Sequence, residues 1–275
     1  MSHLEKAFVQ RIGRNDPAAG RRWGSQMSGP RVVLIVQARI GSTRLPGKSM
    51  LDLAGAPLVG RVLERAQRSR RIDQIVLATP DTPENDPLAA LAPRYGVAGF
   101  RGAENDLVDR YYQAARAYRA DIVGRLPADN PVPEPAEIDR IVDFHLTHAF
   151  AFTSNLAPML GNGYPDGIGA EMILFGALET AWRTCRDPRK REHVHLNFFD
   201  YTEQKAVDPD RFPVGTVECP AHIRRPDIIL DVNTPEQYDR MRRLYEDLYP
   251  INPEFSIRDV IAWHDRNIPS RIHTA

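Results

Sequence analysis

The sequence predicts an α/β fold with a mainly parallel sheet and helices on both of its faces. Short apolar runs alternate with amphipathic stretches of about 10–15 residues, the pattern of repeated strand–helix units. The first apolar run, Val32-Val33-Leu34-Ile35-Val36, leads directly into a Gly- and Arg-rich loop. Helix starts carry Thr-Pro-Glu at Thr82 and again at Thr234, placing a capping hydroxyl before a proline in the first turn.

The elements follow in order. A buried strand spans 32–37. A helix runs from Pro57, with Leu58, Val59, Val62, Leu63 and Ala66 on one stripe. Ile75 to Thr79 reads as a second strand, followed by a helix from Thr82. Val97 to Phe100 is a short strand. From Asp106 to Tyr118, the residues Leu107, Val108, Tyr111, Tyr112, Ala115 and Tyr118 share one helical face. A strand at 121–126, a helix at 135–148 and a weak strand at 151–154 come next. The pattern then loosens. The turn-rich stretch Gly161 to Gly169 precedes helices at about 175–183 and 189–201. The sheet is expected to resume at Ile228 to Val232. Thr234 then caps a helix to about Tyr249, with Gln237 placed for a capping box, and 256–266 forms a closing helix.

The expected organisation is a flexible extension over 1–30, a main domain over 31–250 and a terminal helix and tail over 251–275. Met27 is a candidate start. Residues 155–225 read as an excursion that covers the site and supplies an oligomer contact. The 275 residues carry 36 Lys+Arg against 36 Asp+Glu, a balance that argues against a nucleic-acid binder. No apolar stretch reaches the ~18 residues of a membrane span. The polar, basic first ~28 residues do not form a signal peptide. Cys185 and Cys219 are too few for a disulfide framework and suit a cytoplasmic protein.

The segment Gln37-Ala38-Arg39-Ile40-Gly41-Ser42-Thr43-Arg44-Leu45-Pro46-Gly47-Lys48 carries the most chemistry. Glycines after a strand let backbone N–H groups turn toward an anion, and fixed cations neutralise a polyphosphate. It is not a P-loop, because five residues separate Gly41 from Gly47 where that motif has four. Nor is it a dinucleotide fingerprint. Ligands of such sheets sit beyond the carboxyl ends of the strands. Asp129, at the end of the 121–126 strand, can hold Mg²⁺, a hard cation that prefers oxygen ligands, or can cap the turn before Pro131. Asp231 and Asn233, two apart, project to one face of an extended segment. Asn233 as a metal ligand and Asn233 as a turn-shaping residue are both open readings. His193 and His195 flank Val194; in a helix their rings would diverge, which disfavours a shared metal.

These residues resemble the signature of the cytidylyltransferase family, which includes enzymes activating acylneuraminates and 3-deoxy-ulosonic acids, and most closely its spore-coat polysaccharide biosynthesis branch. The resemblance runs from about Val32 to Tyr249. Further blocks are Ala78-Thr79-x-Asp81, Phe100-Arg101-Gly102, Asp106-x-x-Asp109-Arg110-Tyr111-Tyr112, Arg125-x-x-x-Asp129-x-Pro131, Tyr164-Pro165-Asp166-Gly167, Arg191-Glu192-His193-Val194 and Val232-Asn233-Thr234-Pro235-Glu236. It departs from the family pattern at Pro127-Ala128, where Thr-Gly is usual, and at Asn233, where Asp is usual.

The resemblance implies a Rossmann-like nucleotidyltransferase fold and a Mg²⁺-dependent transfer of CMP from CTP to a small anionic acceptor, with pyrophosphate released. It implies Arg39, Lys48 and Asp129 as catalytic residues. Gln37, Ala38, Gly41, Ser42, Arg44, Thr79, Asp81 and Arg101 would bind the nucleotide. Tyr164, Asp166, Glu171, Arg191, Glu192 and His193 would lie toward the acceptor, with Arg191 recognising a carboxylate. Asp129, Asp231 and Asn233 would hold the metal. A homodimer is expected, with 155–225 at its interface. Asp109 and Arg110 head an amphipathic helix, so a solvated ion pair competes there with a role near the base. The alternatives are transfer to a phosphonate or phosphorylated molecule, a nucleotide-sugar glycosyltransferase, and a non-catalytic nucleotide-binding protein.

Overall fold

A computed structural model of the chain describes residues 29–268. The extension expected over 1–30 lies almost wholly outside the described residues, as does the end of the tail. The folded body begins at Arg31.

The elements are β1 (Val32–Gln37), a hairpin of β2 (Asp52–Leu53) and β3 (Ala56–Pro57), α1 (Leu58–Ala66), β4 (Gln74–Pro80), the short helices α2 (Asp86–Ala89) and α3 (Leu91–Arg94), β5 (Ala98–Gly102), α4 (Leu107–Ala117) and β6 (Ile122–Pro127). They continue with α5 (Pro135–Thr147), β7 (Phe152–Ser154), β8 (Glu171–Leu174), α6 (Phe175–Thr184), α7 (Pro188–Glu192), a hairpin of β9 (Phe199–Asp200) and β10 (Lys205–Ala206), β11 (Val214–Gly215), α8 (Pro235–Leu248) and α9 (Ile257–Asn267).

Seven strands form one sheet in the order β11-β7-β8-β6-β1-β4-β5. All pairs are parallel except those of β8, which runs antiparallel to both β6 and β7. The alternation of side chains along β1 divides the core in two. Leu34 and Val36 pack with α1, α8 and α9 on one face, while Val33 and Ile35 pack with α4 and α6 on the other. On α1, Leu58, Val59, Val62 and Leu63 are fully buried, each stabilising the fold by about 1.5–3 kcal/mol.

Local signals hold where they were strongest. Thr234 Oγ1 accepts from Gln237 N while the Gln237 side chain accepts from the Thr234 N–H, closing the capping box on α8. Asp106 accepts from Asp109 N and starts α4. Four expectations need correction. Ile228 to Val232 is not a sheet strand, because its ladder reduces to one bridge between Asp166 and Ile229. The helix expected over 189–201 is the single turn α7, a 3-10 turn at Val194–Asn197 and then β9. The segment 155–225 does not leave the sheet, since β8 and β11 return to it. The region after Thr82 is a 3-10 turn and two short helices rather than one helix.

Candidate functional site

A cavity of about 310 Å³ opens where β1 and β6 end, lined there by Gln37, Ala38, Pro127, Ala128 and Asp129. The position is the one parallel sheets leave for ligands. The loop after β1 folds over it. Gly47 takes φ 70°, a left-handed conformation that L side chains rarely adopt, and this reversal brings Lys48 back across the opening. Ser42 N and Gly47 N donate to Ile40 O at 2.7 and 3.1 Å, and Lys48 N donates to Leu45 O at 3.2 Å. Those N–H groups are therefore spent inside the loop. The charge that faces the cavity comes from the side chains of Arg39, Arg44 and Lys48, with Ser42 beside them.

Oxygen atoms converge on the Lys48 ammonium. It donates to Asp129 Oδ2 at 2.7 Å, Asn233 Oδ1 at 2.9 Å and Val232 O at 3.0 Å. Arg44 Nη2 donates to the same Asn233 Oδ1 at 2.8 Å. The Asn233 amide nitrogen donates to Asp231. Asn233 thus links two cations on one side to a carboxylate on the other. Burial raises the pKa of Asp231, and the Asp129 charge adds to the shift. Burial, with Asp231 and then Asp129, pushes Asp166 up to about 6, so the charges of Asp231 and Asp166 lie close behind Asp129, the one of the three that lines the cavity.

Among the described residues, no cluster of three or more His, Cys, Asp or Glu forms a metal cage. Mg²⁺ does not require one. It keeps several waters and is often held by one or two carboxylates together with substrate phosphates. The donor set fits such an ion: three oxygens meet at one cationic point, two of them from Asp129 and Asn233, with Asp231 next to them. The point carries the Lys48 ammonium.

The floor of the cavity contains a buried ion pair. Arg125 on β6 and Glu171 on β8 are cross-strand partners, and Arg125 Nη1 donates to Glu171 Oε2 at 2.6 Å. Tyr201 Oη donates to the other Glu171 oxygen at 3.0 Å. Burial opposes the charge of Arg125, but Glu171, with Tyr111 and Tyr201, more than offsets it and holds the guanidinium protonated. Glu171 was expected to touch an acceptor. It is 1% exposed, and its carboxylate serves Arg125 and Tyr201.

Other expected acceptor residues also separate. Arg191 donates through Nε to Asp106 Oδ2 at 2.9 Å, and through Nη1 to Trp182 O at 2.8 Å. Its fork is occupied in tying α7 to the start of α4, so it does not present a free pair of donors to a carboxylate. Tyr164 is fully buried in the core and its Oη donates to Glu137 at 2.6 Å. Glu192 and His193 do line the cavity, with Glu192 3.4 Å from Arg39 Nη2. His195 has its ring 5.9 Å from that of His193 and tilted 48° to it, with its edge to Tyr201, and burial lowers its pKa to about 4.

On the nucleotide side, Arg101 is bound to Asp81, Asp86 and the Thr82 carbonyl. Thr79 is buried within β4. Gly41 sits on the outer turn of the loop near Glu84. None of Thr79, Asp81, Arg101 and Gly41 lines the cavity, whereas Gln37, Ala38, Ser42 and Arg44 do. Glu104, which the sequence did not single out, and Arg110, for which a solvated ion pair competed with a role near the base, also line the cavity. A signal for Arg110 existed. It stands between Leu107 and Tyr111, the pair that mark the buried face of α4, so a solvated ion pair was the poorer reading. Its neighbour Asp109 instead accepts from Trp182 Nε1 at 2.7 Å.

Residues 33–164 match the family profile described as cytidylyltransferase. The fold superposes on a solved cytidylyltransferase from Leptospira borgpetersenii serovar Hardjo-bovis with a TM-score of 0.75 and 30% identity, covering 87% of this chain and 95% of the other. The chain is 29% identical over 241 residues to the spore coat polysaccharide biosynthesis protein SpsF of Bacillus subtilis, 86% of this chain and 95% of that one. It is also 41% identical over 113 residues to a 3-deoxy-manno-octulosonate cytidylyltransferase of Anaeromyxobacter dehalogenans, 40% of this chain and 46% of the relative.

Proposed function

Since this chain belongs to the cytidylyltransferase family, we propose that it joins CMP from CTP to a small sugar acid, with Mg²⁺ bound and pyrophosphate released. The observation that carries the reading is the cluster in one cavity of Arg39, Arg44 and Lys48 against Asp129, with Lys48 Nζ 2.7 Å from Asp129 Oδ2. An acceptor hydroxyl oxygen attacks the α-phosphorus in line. The bond from that phosphorus to the β-bridging oxygen breaks, pyrophosphate leaves, and the hydroxyl proton passes to solvent. Such chemistry needs positioning and charge neutralisation more than a covalent residue.

Arg39 and Arg44 hold the β- and γ-phosphates and neutralise the charge that grows on the leaving pyrophosphate. Lys48 adds a third cation between the phosphates and Asp129. Asp129 and Asp231, with Asn233, would hold Mg²⁺. When bound, that ion neutralises phosphate charge and acidifies an attacking hydroxyl. A neutral amide at position 233 binds the ion less strongly than a carboxylate, and the charge of Asp231 compensates.

CTP with Mg²⁺ is expected to raise the melting temperature more than ATP, GTP or UTP. A ligand at one hundred times its Kd stabilises by about 2.7 kcal/mol. A thermal-shift series checks this, and a preference for ATP would remove cytidylyl transfer as the activity. Pyrophosphate appearing when CTP meets 3-deoxy-manno-octulosonate would extend the reading to the acceptor.

A further inference from the structure

Arg110 is a cationic side chain lining the cavity that makes no ion pair among the described residues. It is 3% exposed and it lines the cavity beside Arg39 and Arg125. Its Nε and Nη1 are buried without a hydrogen-bond partner among the described residues. The nearby carboxylates do not pair with it among the described residues. Asp106 is taken by Arg191 and by the N–H of Asp109, and Asp109 by Trp182. Glu104 lines the cavity but makes no ion pair among the described residues. The fold also makes room for this side chain. A Cβ at Gly102 would lie 3.2 Å from Arg110 Cγ and 2.8 Å from the Phe100 ring. Burial without a carboxylate partner, with Arg39 close by, pushes the guanidinium down to about 10, so it remains charged at neutral pH.

A buried, unpaired guanidinium is costly to a folded chain, and a charged group so perturbed in a cleft points to a functional site. We infer that Arg110 is an anion-binding residue of this cavity, built to receive a carboxylate or phosphoryl group of a bound ligand. It takes the part the sequence had given to Arg191, whose donors are occupied. The anion can come from the acceptor or from the nucleotide. The inference rests on the cytidylyl-transfer reading only for which of the two supplies it.

The test is calorimetric titration of the full chain with inorganic phosphate, with and without saturating CTP and Mg²⁺, for the wild type, Arg110→Gln and Arg110→Lys. The expected result is that phosphate binds the CTP-loaded wild type. Arg110→Gln then weakens phosphate at least tenfold with CTP affinity unchanged, and Arg110→Lys recovers part of the loss. That outcome assigns the anion to the acceptor side. A tenfold loss of CTP affinity instead keeps the anion site and assigns it to the nucleotide. Unchanged affinity for both overturns the inference. If the wild type fails to bind CTP, the cytidylyltransferase reading fails, and the phosphate titration without CTP still decides the role of Arg110. Folding is read separately. Removing an unmatched charge leaves the melting temperature of ligand-free Arg110→Gln at or above that of the wild type, whereas a structural role would lower it.

Discussion

Lys48→Ala is expected to lower turnover by ~10²–10³ at saturating CTP, the loss typical of removing one donor preorganised for charge that develops in a transition state. The geometry supports so large an effect. The ammonium lies within 3.0 Å of Asp129, Asn233 and the Val232 carbonyl and stands on the wall that Arg39 and Arg44 share. It is thus the loop cation in direct contact with the acidic group of the proposed site. The variant also leaves Asp129, whose charge acts on Asp231 and Asp166, without its ammonium partner. Its ligand-free form should therefore melt lower, and millimolar Mg²⁺ should restore more stability to it than to the wild type. Steady-state kinetics and a Mg²⁺ melting series check both parts. Turnover within a few-fold of wild type would remove Lys48 from the reaction.

Glu171→Ala is expected to destabilise the fold by ~3–5 kcal/mol, because it strands a buried guanidinium. For a domain of this size, 1 kcal/mol shifts the melting temperature by about 2–4 °C, so a fall on the order of 10 °C should appear in calorimetry. The effect is large because Glu171 binds three elements at once. It pairs with Arg125 of β6 and accepts from Tyr201, and Tyr201 also reaches Ser154 on β7 at 2.9 Å. Replacing both Arg125 and Glu171 with apolar residues of similar volume should cost less stability than Glu171→Ala alone, since no charge is left buried. A single variant that melts with the wild type would show that the pair does not hold β6 to β8.

The sequence made the parallel half of the sheet legible because its signals are local. The Val32–Val36 run, the α1 stripe and the Thr234–Gln237 box are each complete within one element. β8 was missed for a physical reason. Glu171-Met172-Ile173-Leu174 is four residues long, follows a glycine-rich stretch and runs without a turn into the apolar start of α6, so its period cannot be told from that of a helix. The reverse error befell Ile228 to Val232, whose apolar run looks like a strand. Its backbone is engaged by the Asp166 and Asp129 carbonyls instead.

At the site, the sequence brought Gln37, Ala38, Arg39, Ser42, Arg44, Lys48 and Asp129 together, and all of them line one cavity. Partner choice was not legible. Arg191, Arg101 and Arg110 are alike in sequence terms, and only tertiary contacts decide that the first binds Asp106, the second Asp81 and Asp86, while the third is left to face the cavity. Glu171 and Tyr164 sit in blocks that resemble an acceptor site, yet both are buried and bonded within the protein.

The most direct test of the central claim is a crystal structure with CTP and Mn²⁺. The account predicts β- and γ-phosphate oxygens on Arg39, Arg44 and Lys48, and an anomalous peak at the side chains of Asp129 and Asp231. A triphosphate bound outside this cavity, or a metal peak remote from Asp129, would contradict it.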